Sequence, residues 1–149
     1  MSRTVVLDAG PLGQLSAPLR KPDAQACRHW LATLIAASVR VVVPEIGDYE
    51  VRRELLRAGK TGSIRRLDDL AKATEYAPLT TAAMRRAAEL WAIARQRGQP
   101  TAADNTIDAD VILAAQALEL GSPNVVVATT NVGHLSRFVP AELWHKIQP

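Results

Sequence analysis

Val5-Val6-Leu7-Asp8 sets the reading of the whole chain. Three apolar residues in a row, two of them β-branched, show no alternation between a wet face and a dry one. They describe a short strand buried on both faces that ends at an ionisable side chain. Working outward, residues 39–43, with Val41-Val42-Val43, and residues 125–128, Val125-Val126-Val127-Ala128, have the same character. Between them the period changes. Residues 24–38 place Trp30, Leu31, Leu34 and Ile35 at core-facing helical spacing. Pro44 suits the first position of a helix running to about residue 58, where Gly59 and Gly62 interrupt it. Residues 63–74 repeat the helical pattern, residues 76–79 read as a short strand, and Thr80 and Thr81 offer caps for a helix over residues 82–97. Residues 98–106 read as a polar loop, and residues 111–120 as a helix closed by Gly121. Buried strands alternating with helices predict the α/β class, as a three-layer α/β/α sandwich with a central parallel sheet. Very short strands towards the C-terminal end cannot be assigned from pattern.

The chain has 149 residues and no internal repeat, low-complexity tract or Gly/Ser/Pro-rich linker, so one domain over residues 1–149 is expected. Hydrophobic residues at 48% against 22% charged argue against disorder. A net charge of +3 and a pI near 9.4 suit a polyanionic partner without requiring one. Cys27 is the only cysteine, which excludes an intrachain disulfide and a cysteine-built zinc site. The apolar run before Asp8 is too short for a signal-peptide core. Residues 30–39 reach half of the roughly 20 apolar residues that a membrane span needs. A soluble cytoplasmic protein with no membrane partner is expected. Aromatic residues are scarce at 4%, and Trp30 and Trp91 read as core.

In open parallel sheets, reactive groups collect beyond the carboxyl ends of the strands, near helix N-termini. Asp8 follows the first strand. Glu45, Asp48 and Glu50 follow the second, and Thr129, Thr130 and Asn131 follow the third. Asp108 and Asp110 stand just before the helix over residues 111–120. Carboxylates from distant parts of the chain would thus meet at one edge, separated in sequence yet close in space. Such a cluster repels itself unless a cation joins it, and hard divalent ions prefer oxygen ligands. Each residue alone has a structural alternative. Asp108 and Asp110 suit a helix cap, and Glu50 suits an ion pair on a solvated helix face. Asp8 suits a turn or an N-cap before Pro11, and Asn131 the start of a helix.

Taken together the motifs are more specific. Asp8 is followed by Glu50 in Tyr49-Glu50-Val51-Arg52-Arg53-Glu54-Leu55. Next come Asp108-Ala109-Asp110-Val111-Ile112-Leu113-Ala114-Ala115-Gln116-Ala117-Leu118 and Val127-Ala128-Thr129-Thr130-Asn131-Val132-Gly133-His134-Leu135. In this order the chain resembles PIN domains, almost end to end. The resemblance implies that Asp8, Glu50 and Asp110 are catalytic carboxylates holding Mg²⁺ or Mn²⁺. Asn131 completes the metal set as a neutral oxygen ligand, and Asp108 shares or assists the role of Asp110. It further implies a metal-dependent ribonuclease similar to VapC-type toxins, hydrolysing RNA phosphodiester bonds to leave a 5′-phosphate. An antitoxin protein and a second copy of the chain are the implied partners.

On this reading Thr129 and Thr130 bind the phosphate or position Asp8, and Arg52 and Arg53, with Arg57 and Lys60, follow the RNA backbone. Ordinary solvated helix charge is the alternative for that basic stretch. His134 and Ser136 fit a helix start. Leu55, Leu56, Ile64, Leu67 and Leu70 exceed what one sheet face requires, which together with the resemblance predicts a homodimer. The rival of another class is a catalytically silent PIN-like module binding RNA or protein. Clustered negative charge gives an RNA-binding surface no advantage. A haloacid-dehalogenase-like phosphatase would need a second Asp where Gly10 stands, and no Gly-rich phosphate loop is present.

Overall fold

The computed structural model describes residues 3–98 and 104–149. The chain begins with β1 (Thr4–Leu7), whose four residues are all buried, and turns at once into α1 (Ala9–Ser16). Then follow α2 (Pro22–Ala36), β2 (Arg40–Pro44), α3 (Glu45–Arg57), α4 (Thr61–Ala73) and β3 (Glu75–Ala77). The second half contains α5 (Thr81–Gln96), α6 (Asp104–Glu119), β4 (Val125–Thr129) and β5 (Ala141–Leu143). The strands form one parallel sheet in the order β3-β2-β1-β4-β5. The chain therefore steps from β1 to one side through β2 and β3, then crosses to β4 on the other. That reversal makes the end of β1 the topological switch point, where a crevice opens.

Alternate side chains of each strand serve opposite layers. Val5, Leu7, Val41, Val43, Val126 and Ala128 pack with Leu12, Leu15, Leu34 and Leu67 from α1, α2 and α4. Val6, Val42 and Val127 pack with Leu113, Ala114 and Ala117 of α6 on the other face. This is why the central strands β1, β2 and β4 are mostly apolar: there neither face of the sheet meets water. Each fully buried Leu or Val contributes roughly 1.5–3 kcal/mol. Trp30 is buried as expected, packs against the tilted ring of Trp144 at 5.5 Å and donates its indole N–H to the Ile147 carbonyl. Among the described residues no helix is long and apolar enough to cross a membrane.

Several expectations need correction. Residues 9–16, where the sequence pattern assigns no element, form a helix that Asp8 caps. α6 begins at Asp104, so Asp108 and Asp110 lie inside it and do not precede it. Of the polar loop expected over residues 98–106, residues 99–103 lie outside the described residues, and Asp104 onward is helical. Trp91 is not core but 37% exposed. α5 packs on α6 through the small residues Ala83, Ala87 and Ala94, and Trp91 lies on the neighbouring stripe of the helix. Of the apolar residues assigned to a partner face, Leu67 is fully buried and Leu55 and Leu70 pack against the core, whereas Leu56 is 62% exposed.

Candidate active site

Asp8 continues β1 directly, so its backbone is fixed by the sheet, its N–H donating to the Ala128 carbonyl of β4. Its two carboxylate oxygens are both engaged. One caps α1 by accepting the Ala9 N–H at 2.7 Å, and the other accepts the Thr129 hydroxyl at 2.7 Å. Thr129 is buried at the end of β4, and its hydroxyl in turn accepts the Asn131 N–H at 3.1 Å. A hydroxyl thus couples the ends of the two central strands. The Asn131 side-chain oxygen accepts the Gly133 N–H, holding the turn after β4. Thr130 packs against α1 at Gly10.

Glu50 comes from the second turn of α3. That helix reaches the end of β1 because Gly47 has no side chain: a Cβ there would lie 2.9 Å from Leu12 Cδ1 and 3.3 Å from the Leu7 carbonyl oxygen. The neighbouring acids are occupied elsewhere. Glu45 accepts the Leu79 N–H at 2.6 Å, and Asp48 pairs with Arg52 at 3.0 Å. Gln116, buried in α6, accepts the Ile46 N–H and donates to the Ala77 carbonyl, so α6 is keyed to the start of α3 and the end of β3. Asp110 stands upstream of Gln116 on the same helix. Glu50, Asp108 and Asp110 then line one cleft of about 350 Å³, with Ile46, Tyr49, Arg53, Ala109 and Ile112. Asp8 is not part of its lining.

The electrostatics link Asp8, Glu50 and Asp110 nonetheless. Burial holds the Asp8 carboxyl above its usual range, although the Thr129 and Ala9 donors pull it back. Glu50 is raised by burial and then by the charges of Asp8 and Asp110, with Arg53 opposing. Asp110 is raised by burial and by Asp8, with His134 and Arg137 opposing. Three carboxylates from β1, α3 and α6 therefore share one field, and each would rather be neutral. Among the described residues no three His, Cys, Asp or Glu side chains are grouped so as to hold a metal ion as they stand. The donor chemistry fits a hard divalent cation all the same: oxygen donors only, carrying like charges that burial makes costly.

The two arginines expected at RNA have different surroundings. Arg53 lines the cleft and stacks over Tyr49 at 5.2 Å. Arg52 is held between Asp48 and Asp68, at 3.0 and 2.6 Å. Two neighbours of the site were not singled out from sequence. Tyr49 lines the cleft, one residue before Glu50 on the exposed part of α3. Arg137 ends a single 3-10 turn (Leu135–Arg137), contacts His134 Nδ1 and bears on Asp110. Its spacing of three from His134 was the available signal.

Gly10 supplies a check on this packing. A Cβ there would stand 2.5 Å from Thr130 Oγ1, 2.6 Å from Cγ2 and 3.0 Å from Cβ, so rotating Thr130 cannot relieve it. Gly10→Ala should cost about 1–3 kcal/mol by overpacking, with Thr130→Ala in the same chain recovering most of the loss. Urea unfolding of the single and double variants measures both. An unchanged midpoint for Gly10→Ala would show that α1 and the β4 turn are not held this tightly.

The sequence matches the family model for the PIN domain over residues 5–137, from β1 through the turn that carries Arg137. The chain belongs to the PIN domain family. No curated protein matches it in sequence. Solved structures agree with this PIN domain in fold. A chain of VapBC2 from Rickettsia felis, bound to a DNA fragment from their promoter, superposes with a TM-score of 0.73 at 17% identity, over 95% of this chain and 98% of that one. VapBC-1 from nontypeable Haemophilus influenzae gives 0.69 at 18%, over 96% and 99%. FitAcB from Neisseria gonorrhoeae gives 0.68 at 20%, also over 96% and 99%. At such identities the likeness speaks for the fold alone.

Proposed function

We propose that this PIN domain is a metal-dependent endoribonuclease of the VapC-like toxin type, hydrolysing RNA phosphodiester bonds with Mg²⁺ or Mn²⁺. One observation carries the reading. Carboxylates from three separate elements are all held above their ordinary range around the end of the central strand, the Asp8 charge raising both Glu50 and Asp110, beside a cleft that two of them line. A fold gains no stability from such an arrangement, so it is best understood as a site for a cation. Asp8, Glu50 and Asp110 would hold the ion, with Asn131 and Asp108 as further oxygen donors. A divalent cation so held polarises the phosphoryl group and lowers the pKa of water.

The other residues take roles that follow from their positions. Thr129 fixes the orientation of Asp8 through its hydroxyl, and Thr130 holds α1 in place. Arg53 and Arg137 set positive charge beside the carboxylates, where a phosphodiester would add negative charge. Arg52, with both acidic neighbours in place, serves α3 and α4 first. An antitoxin protein as partner belongs to the same reading, since the solved relatives are chains of VapBC assemblies. So does a homodimer, with Leu56 as an exposed apolar residue on α3.

The decisive experiment incubates the purified protein with single-stranded and structured RNA, with added Mn²⁺ or Mg²⁺ and with EDTA. Cleavage is expected with either metal and none with EDTA. No cleavage, together with no Mn²⁺ binding by calorimetry, would instead establish a silent RNA- or protein-binding module.

A further inference from the structure

We infer that the groove between α5 and α6 is a subsite for one unpaired nucleobase of the RNA, stacked on Trp91 beside the phosphate to be cut. This rests on the nuclease reading above. The groove has a volume of about 350 Å³, with Met84, Ala88 and Trp91 of α5 on one side and Asp108, Val111 and Ile112 of α6 on the other. Asp108 and Ile112 also line the carboxylate cleft, so the two depressions share a wall. A strand with its phosphate at the carboxylates therefore has a neighbouring base within reach of the groove.

The lining suits the flat apolar face of a base. Met84 is 44% and Trp91 37% exposed, so two large apolar side chains that line the groove remain open to a ligand on a chain poor in aromatic residues. Their cause is geometric: Met84, Ala88 and Trp91 follow one another at helical spacing, beside the Ala83-Ala87-Ala94 stripe that packs inward. Arg95 lies over the Trp91 ring at 4.9 Å without lining the groove, which leaves the indole a supported platform. Aromatic rings backed by arginine are how single-stranded RNA is held irrespective of sequence.

Charge separates RNA from the other occupant of an apolar face, a second copy. Residues 81–97 carry Arg85, Arg86, Arg95 and Arg97 against the single acid Glu89, with Arg86 also paired to Glu119 of α6 at 3.5 Å. A two-fold contact would set this basic helix near its own image, whereas a phosphate backbone complements it.

The test uses the full chain and a short fluorescein-labelled single-stranded RNA, with EDTA present so that binding is read without cleavage. Trp91→Ala should weaken binding about 5- to 160-fold, the usual range for losing one stacked base. Trp91→Phe should recover most of it, and duplex RNA should be indifferent to both. In the metal-loaded assay Trp91→Ala should raise KM with kcat nearly unchanged. Unaltered affinity in a well-folded Trp91→Ala protein overturns the subsite while leaving the nuclease reading intact. Conversion of a dimer to a monomer by the same substitution, seen by light scattering, assigns the groove to a second copy and also overturns it. Failure of the wild type to bind or cut any RNA removes the nuclease reading and the subsite with it.

Discussion

Asp110→Asn should reduce RNA cleavage by more than roughly 100-fold, because even the indirect partners of metal ligands matter 10- to 100-fold. The same protein should melt no lower than the wild type. Both expectations follow from where Asp110 stands. It lies within α6, past the first turn, so the backbone N–H groups that a capping side chain would satisfy are not within its reach. Its carboxyl is raised by burial and by Asp8, so the negative charge is a cost to the folded chain. Asn has nearly the same shape and removes that cost while lowering the affinity for a cation. A structural role predicts the opposite pair of results, with activity kept and stability reduced. Cleavage assays with Mn²⁺, run beside thermal melts of each variant, separate the two. Undiminished, EDTA-sensitive cleavage by well-folded Asp110→Asn would sink the site as drawn.

The parts of this architecture that were legible from sequence are those where one physical demand dominates. Val5-Val6-Leu7 and Val125-Val126-Val127 are buried on both faces, and only a central strand asks for that. Thr80 caps α5 as its residue type suggests, accepting the Ala83 N–H. α1 was hidden because Gly10, Pro11 and Gly13 favour turns locally. The helix forms there because Asp8 caps it, Pro11 falls in its first turn, and Leu12 and Leu15 are buried against the sheet. Tertiary packing overrides local preference. β5, at three residues, is too short to show any period. Trp91 was misplaced because composition reports how apolar a residue is, and helix phase decides which way it faces.

The same holds at the site. The order of the acids could be read, since residues that follow strands in a parallel sheet share one edge. Which side chains face the cleft is a matter of helix phase. On α3, Ile46, Tyr49, Glu50 and Arg53 share a face, three and four residues apart, and all four line the cleft. Asp48 and Arg52 lie one step round and pair with each other. Treating Arg52 and Arg53 as one basic stretch missed this, although the spacing from Glu50 was enough to divide them.

Stripped of divalent cations by EDTA, the protein should melt at higher temperature as the pH is lowered from neutral. Asp8, Glu50 and Asp110 have carboxyl groups raised above their ordinary values. A group that binds its proton more tightly when folded makes stability fall as pH rises from the unfolded value through the folded one. The window therefore opens above the ordinary carboxylate range. Glu75 has the opposite sign, since Arg40 holds its carboxyl low, and its contribution disappears as pH falls below that range. Being well exposed, that pair is a small term. Stability of the metal-free protein should thus peak in mildly acidic solution. A cation favours the ionised carboxylates and should reverse the trend. At a concentration 100 times its dissociation constant, Mn²⁺ should add about 2.7 kcal/mol, or about 5–10 °C in Tm for a chain of this size. Its binding should release protons, measurable by calorimetry in buffers of different ionisation enthalpy. The variant carrying Asp8→Asn, Glu50→Gln and Asp110→Asn should melt higher than the metal-free wild type at neutral pH and show neither the pH slope nor the Mn²⁺ shift. If that variant still gains several degrees from Mn²⁺, the cation binds elsewhere on the molecule and these three carboxylates are not its site.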